Sequence, residues 1–187
     1  MANTSDFRNG LIFNHKGGLW KIVEFLHVKP GKGPAFVRTK LKNIKTGQVV
    51  DETFRSGEKI EVIKIEAKNY NYLYSDGSLY TFMDNETYEQ ISLTKEQLGD
   101  NVLAFLIENT ETTIAFDGND PVEVRIPQHM NMKIVETDPG ERGNPAQGGT
   151  KPATLESGVT INVPLFINKD DVIKVDTHEK RYLERVK

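Results

Sequence analysis

Short runs of β-branched and aromatic residues recur along the chain, and turns rich in glycine, proline and asparagine separate them. Strands of that length and spacing do not build a wide flat sheet; they curl into small barrels that protect their own edges. In residues 1–65 the runs are Leu11–Asn14, Leu19–Val28, Ala35–Lys42, Val49–Phe54 and Ile60–Ile65. Lys16-Gly17-Gly18 and Lys45-Thr46-Gly47 supply two of the turns, because glycine takes the positive φ that tight hairpins need. This segment predicts one small barrel.

Residues 66–128 predict a second. Tyr70, Tyr72 and Tyr74 alternate, so a regular strand would place all three on one face. Ser75-Asp76-Gly77 turns the chain back into Leu79–Met83, and Tyr88–Leu93 is the next strand. Thr94 and Gln97 have the spacing of a capping box. They predict a short helix that Gly99 interrupts and Asp100 recaps, with Leu98, Val102, Leu103 and Leu106 as its apolar side. Thr112–Phe116 and Val122–Ile126, joined through Asp117–Pro121, complete a strand–helix–strand order suited to a five-stranded Greek-key barrel. Pro127-Gln128-His129 reads as a linker. Residues 129–187 predict a third barrel from Met132–Val135, Ala153–Leu155, Val159–Ile167, Val172–Val175 and Tyr182–Val186, with a Gly/Pro-rich stretch from Asp138 to Gly149. The expectation is an all-β chain of three barrels in tandem. Each has about 60 residues, near the lower limit for independent folding.

Several chemistries are excluded. The chain has no cysteine, which rules out disulfides, thiol catalysis and cysteine zinc sites and fits a reducing compartment. His15, His27, His129 and His178 lack ligand spacing, so no metal is expected. Asp117–Asp120 lacks the later ligands of a calcium loop. Gly31-Lys32-Gly33 is too short for a phosphate cradle, and no Gly-x-Ser-x-Gly elbow occurs. The reading is of a protein that is not an enzyme and needs no cofactor. The N-terminus carries no apolar signal region, and no apolar run reaches the roughly 20 residues of a membrane span. A cytoplasmic monomer without a membrane partner is expected.

One loop stands apart. Lys29-Pro30-Gly31-Lys32-Gly33-Pro34 joins two predicted strands, with prolines and glycines on both sides of Lys32. Proline fixes φ and glycine permits a sharp reversal, so such a loop presents one ammonium group with little freedom to lose on binding. From Phe25 to Val50 there is no acidic residue, while Lys29, Lys32, Arg38, Lys40, Lys42 and Lys45 all fall there. Taking these six positive charges from the net −3 leaves the rest of the chain at −9. A basic hairpin on an acidic chain fits a phosphate-rich partner. A different reading uses the Tyr70, Tyr72 and Tyr74 face, with Tyr80 and Phe82 across the hairpin, as a stacking platform for single-stranded RNA.

Three motifs carry a family resemblance over essentially the whole chain. They are Lys29-Pro30-Gly31-Lys32-Gly33 with Ala35-Phe36-Val37-Arg38; Gly149-Thr150-Lys151-Pro152-Ala153-Thr154-Leu155-Glu156 running into Gly158, Ile161 and Val163-Pro164-Leu165-Phe166-Ile167; and Ile173-Lys174-Val175-Asp176-Thr177. Together they resemble bacterial elongation factor P. The resemblance implies an SH3-like barrel (1–65) followed by two OB barrels (66–128 and 129–187), arranged as an L. It implies a ribosome-bound factor beside peptidyl-tRNA that relieves stalling at consecutive prolines. Lys32 would be the effector, extended by a lysine-modifying enzyme, with Arg38, Lys40, Lys42, Lys45, Tyr182 and Arg185 facing RNA. The chain departs from the family pattern at Asp170, at His178-Glu179-Lys180-Arg181 and at Asn144-Pro145, where glycine-containing turns or other residues are usual.

Overall fold

Fixing the alternation of buried and exposed residues onto strands leaves each sheet with one apolar face to cover, and the chain does this by curling. The computed structural model describes residues 1–140 and 148–186; the Asn144-Pro145 departure and most of the Gly/Pro-rich stretch lie outside the described residues. The all-β expectation holds: three antiparallel, barrel-like sheets and very little helix.

The first sheet contains β1 (Ala2–Asn3), β2 (Ile12–His15), β3 (Gly18–Val28), β4 (Phe36–Asn43), β5 (Val49–Arg55) and β6 (Lys59–Val62), in the order β1-β6-β2-β3-β4-β5. β1 and a 3-10 turn at Thr4–Asp6, closed by a reciprocal cap between Asn3 and Asp6, were not legible in the sequence. A bulge at Val23 breaks the β3–β4 register and turns that side chain outward. Phe7, Leu11, Phe13, Ile22, Val37, Leu41, Phe54 and Ile60 form the buried cluster.

The second sheet contains β7 (Ile65–Ser75), β8 (Leu79–Asp84), β9 (Gln90–Thr94), β10 (Glu111–Asp117) and β11 (Asp120–Arg125), in the order β11-β10-β7-β8-β9. Between β9 and β10 lie α1 (Lys95–Leu98) and α2 (Asp100–Phe105). The capping box forms: the Thr94 hydroxyl accepts from Gln97 N–H at 3.3 Å, and Gln97 Oε1 accepts from Thr94 N–H at 2.9 Å. Gly99 separates the helices at φ +78°, as expected, but Asp100 does not cap the second; Gly99 occupies that position and has no side chain to offer. The expected strand Tyr88–Leu93 starts later, at Gln90, because Tyr88 sits in the turn with φ +62°.

The third sheet contains β12 (His129–Thr137), β13 (Thr150–Leu155), β14 (Thr160–Pro164), β15 (Val172–Asp176) and β16 (Arg181–Arg185), in the order β14-β13-β12-β15-β16. His129, read as linker, opens β12. The run Val159–Ile167 is cut short at Pro164, where the chain turns and Ile167 N–H donates to Pro164 C=O. Asp170 takes φ +71° and Lys180 takes φ +53°, so both turns that depart from glycine still use the left-handed conformation. For Lys180 that conformation costs roughly 1 kcal/mol. Lys180→Gly is therefore expected to raise the melting temperature by a few degrees, read by calorimetry.

By internal contact the chain divides into unit 1, Met1–Ala67 with Ala115–Glu123, and unit 2, Lys68–Ile114 with Val124–Lys187. In unit 1, Lys21 Nζ donates to Glu123 at 2.6 Å. In unit 2, Phe105 joins one continuous buried cluster with Met132, Ile134, Leu155, Val163, Ile173 and Val175.

Candidate functional site

The lysine loop stands on a buried foundation. β3 and β4 stay paired up to Val28 and Phe36, which leaves residues 29–35 to close the hairpin. One step below the loop, Val37 is fully buried and pairs on its other side with buried Phe54. Phe7 packs edge-on against Phe54 and Phe25, with centroids 5.4 and 6.5 Å apart. Ser56 N–H donates to Ala35 C=O at 3.1 Å and ties the loop exit to β5. Rotation of the hairpin would break this packing, so the base holds the direction in which the loop points.

Within the loop, residues 29 to 34 are all exposed. Gly33 has φ +114°, a conformation that other residues rarely take. A Cβ there would come within 3.9 Å of the Pro30 ring, so Pro30 and Gly33 approach each other and narrow the tip. Lys32 makes neither a hydrogen bond nor an ion pair among the described residues.

The other cations are placed unequally. Arg38 is exposed, with its guanidinium 5.6 Å from the Phe36 ring on the same strand face. Lys40 lies between acids that the acid-free run in sequence did not reveal: Glu24 on β3, 3.8 Å away, and Asp51 opposite on β5. Lys42 stands opposite Lys21. Lys45 is in the turn whose backbone N–H groups are held by Asn43. Cross-strand register therefore partly neutralises Lys40, while Lys29, Lys32 and Arg38 near the loop and Lys42 beside Lys21 keep the hairpin positive. Sequence order cannot show this, because the acids come from neighbouring strands.

The tyrosine face does not form. A bulge at Leu73 interrupts the β7–β8 register between Tyr72 and Tyr74. Tyr70 and Tyr72 are buried, with Tyr72 packed 5.3 Å from the Phe82 ring and 6.2 Å from Tyr80. Burial raises the pKa of both hydroxyls; Asp84 adds to the effect at Tyr70, and Tyr80 at Tyr72. Only Tyr74 of the three is exposed, so no three-ring stacking platform exists. Tyr182 is half-buried and packs against the unit 2 cluster. Arg185 is exposed but engaged, 5.8 Å from the Phe166 ring and 3.9 Å from Asp171. Phe166, largely exposed, was missed in the sequence because its run read as continuous strand.

The third motif ends in a network that fixes a turn. Asp176 is buried; one carboxylate oxygen accepts from the N–H groups of His178 and Glu179, each at 2.9 Å, and the other from Gln128 at 3.3 Å. The Glu179 N–H is the main cause that lowers its pKa, with burial opposing and Gln128 assisting. Thr177 donates its hydroxyl to Pro127 C=O at 2.8 Å. Lys16, hydrogen-bonded at 2.9 Å, likewise lowers Glu52. A carboxylate held below its unfolded pKa stabilises the fold fully above that value and loses the contribution as pH falls through the native one. For Asp176 the loss begins near the ordinary value of 3.8. Asp176→Asn is expected to flatten the fall in melting temperature below that pH while keeping the turn, as read by thermal scans across acid pH.

Comparison with known proteins accounts for the whole chain. Residues 3–60 match the Elongation factor P (EF-P) KOW-like domain, residues 65–124 the Elongation factor P (EF-P) OB domain, and residues 130–185 Elongation factor P, C-terminal. An elongation factor P of Rhodococcus erythropolis is 52% identical over 186 residues, covering all of this chain and 99% of the relative. One from Salinibacter ruber is 51% identical over 188 residues, covering all of this chain and 97% of the relative. A solved structure titled as eukaryotic translation initiation factor 5A from Methanococcus jannaschii covers 67% of this chain and 92% of its own, with a TM-score of 0.50 at 23% identity. That likeness speaks for the fold.

Proposed function

The chain belongs to the elongation factor P family, and from that premise we propose that it acts beside peptidyl-tRNA on the ribosome and promotes peptide-bond formation at consecutive prolines through Lys32. It is a translation elongation factor. The observation that carries the finer reading is one ammonium, without a hydrogen-bond or ion-pair partner among the described residues, at the tip of a loop narrowed by Pro30 and Gly33.

Proline is a constrained secondary amine and orients badly as a nucleophile. A factor that restrains the peptidyl-tRNA end lowers the entropic part of the barrier without breaking or making a bond itself. The ribosome carries the chemistry. A rigid tip spends little binding free energy on its own ordering. Lys29 and Arg38 meet phosphates beside it, which makes binding steeply salt-dependent. In this reading Lys32 is lengthened after translation by a modifying enzyme, for which an exposed lysine on a narrow loop is an accessible substrate.

The test is peptide synthesis on a message encoding Pro-Pro-Pro in a reconstituted system, with protein purified from its native host. Relief of the stall that Lys32→Ala removes supports the reading. Equal relief by Lys32→Ala, or none by the wild type, overturns it. The mass of the native Lys32 peptide tests the modification separately: added mass is expected, and a bare lysine in an active preparation refutes it.

A further inference from the structure

The chain carries a second charge-biased segment, the mirror of the lysine hairpin. From Asn69 to Thr94 there is no lysine, arginine or histidine, but Asp76, Asp84, Glu86 and Glu89 fall there with five of the six tyrosines. This segment spans 26 residues, as does the acid-free stretch from Phe25 to Val50. Most of its rings are inside or half-covered. Two are exposed: Tyr74 at 54%, and Tyr88, which is 71% exposed and stands at φ +62°. An aromatic residue in the left-handed region is strained, and such strain persists where the surroundings hold it and a function uses it.

The β8–β9 turn holds it firmly. Asp84 Oδ1 accepts from Glu86 N–H at 2.7 Å and Thr87 N–H at 3.2 Å. Tyr88 N–H donates to Asp84 C=O at 2.9 Å, and Asn85 N–H to Asn69 C=O at 3.0 Å. These bonds turn the Asp84 carboxylate inward. Glu86 and Glu89, both exposed, remain on either side of Tyr88 as the outward charges.

We propose that Tyr88, flanked by Glu86 and Glu89, is an anchor for a lysine- and arginine-rich protein surface of the ribosome. The inference rests on the translation-factor reading and adds a second point of contact, of opposite charge to the first. An exposed aromatic on a rigid turn is the kind of side chain that dominates protein interfaces. The sign of its neighbours selects the partner: two carboxylates repel a phosphate backbone and attract a basic protein.

Relief of strain separates function from folding. Asparagine tolerates the left-handed conformation better than tyrosine, so Tyr88→Asn is expected to melt at the same or a higher temperature than wild type. It is expected to bind purified 70S ribosomes at least about tenfold more weakly. The double variant Glu86→Lys, Glu89→Lys, at two exposed positions and checked by its melting temperature, is expected to weaken binding similarly. A benzophenone amino acid in place of Tyr88 in the full chain, irradiated on ribosomes, is expected to crosslink to a basic ribosomal protein. Crosslinks to RNA alone, or unchanged affinity in both variants, overturn the anchor and leave the Lys32 reading standing. Wild-type protein that neither binds ribosomes nor relieves stalling defeats that reading itself.

Discussion

Lys32→Ala is expected to abolish relief at Pro-Pro-Pro and to leave the melting temperature unchanged. The two outcomes follow from one fact: the side chain is exposed and makes no hydrogen bond or ion pair among the described residues. Its removal therefore costs no buried packing and no hydrogen bond, and surface changes of that kind fall within about 0.5 kcal/mol. On the proposed function its contribution arises only in the complex. Loss of a positioning contact at a reacting centre lowers the rate by tenfold for each 1.4 kcal/mol of barrier, and a drop of at least about tenfold at stalled prolines is expected. On the same proposal ordinary peptide bonds need no such restraint, so synthesis on a message without consecutive prolines should proceed at the same rate with either protein. A variant that slows both messages equally would mean that the loop serves general ribosome binding. Lys32→Arg keeps the charge but changes the reach and shape of the donor. If arginine restores full relief, charge alone explains the tip and the defined geometry of Pro30 and Gly33 is superfluous.

The same loop marks what could be read from residues alone. Proline and glycine constrain the backbone locally, so the narrow tip at Lys32 followed from six residues. The Thr94–Gln97 cap did as well, because its hydrogen bonds span three residues. What failed was non-local. Alternation placed Tyr70, Tyr72 and Tyr74 together, but a bulge at Leu73 changes the register, and bulges answer to the partner strand rather than to the strand's own sequence. The acid-free stretch from Phe25 to Val50 suggested an unopposed basic surface. Glu24 and Asp51 flank Lys40 from two other strands. Tyr88 was read as the start of a strand because its aromatic type favours one; the Asp84 turn overrides that preference.

Phe105→Ala carries the largest structural consequence. The apolar side read from the sequence was Leu98, Val102, Leu103 and Leu106, with Gly99 interrupting, and it left out Phe105. Gly99 at φ +78° separates α1 from α2, and Phe105 closes α2. It is fully buried against the cluster built by Met132, Ile134, Leu155 and Val163. Truncating a phenylalanine there leaves a cavity and costs about 3–5 kcal/mol, a large part of the 5–15 kcal/mol that a typical domain possesses. The spectroscopic probes divide cleanly for this test. Trp20, the only tryptophan, packs on the unit 1 cluster, whereas all six tyrosines belong to unit 2. In urea, the tyrosine near-ultraviolet signal of Phe105→Ala is expected to collapse well before that of the wild type. Trp20 fluorescence should keep its wild-type midpoint. Both signals moving together would show the two units to unfold as one. A tyrosine midpoint that does not move would mean that the cluster closes around the missing ring, contrary to the packing on which this expectation stands.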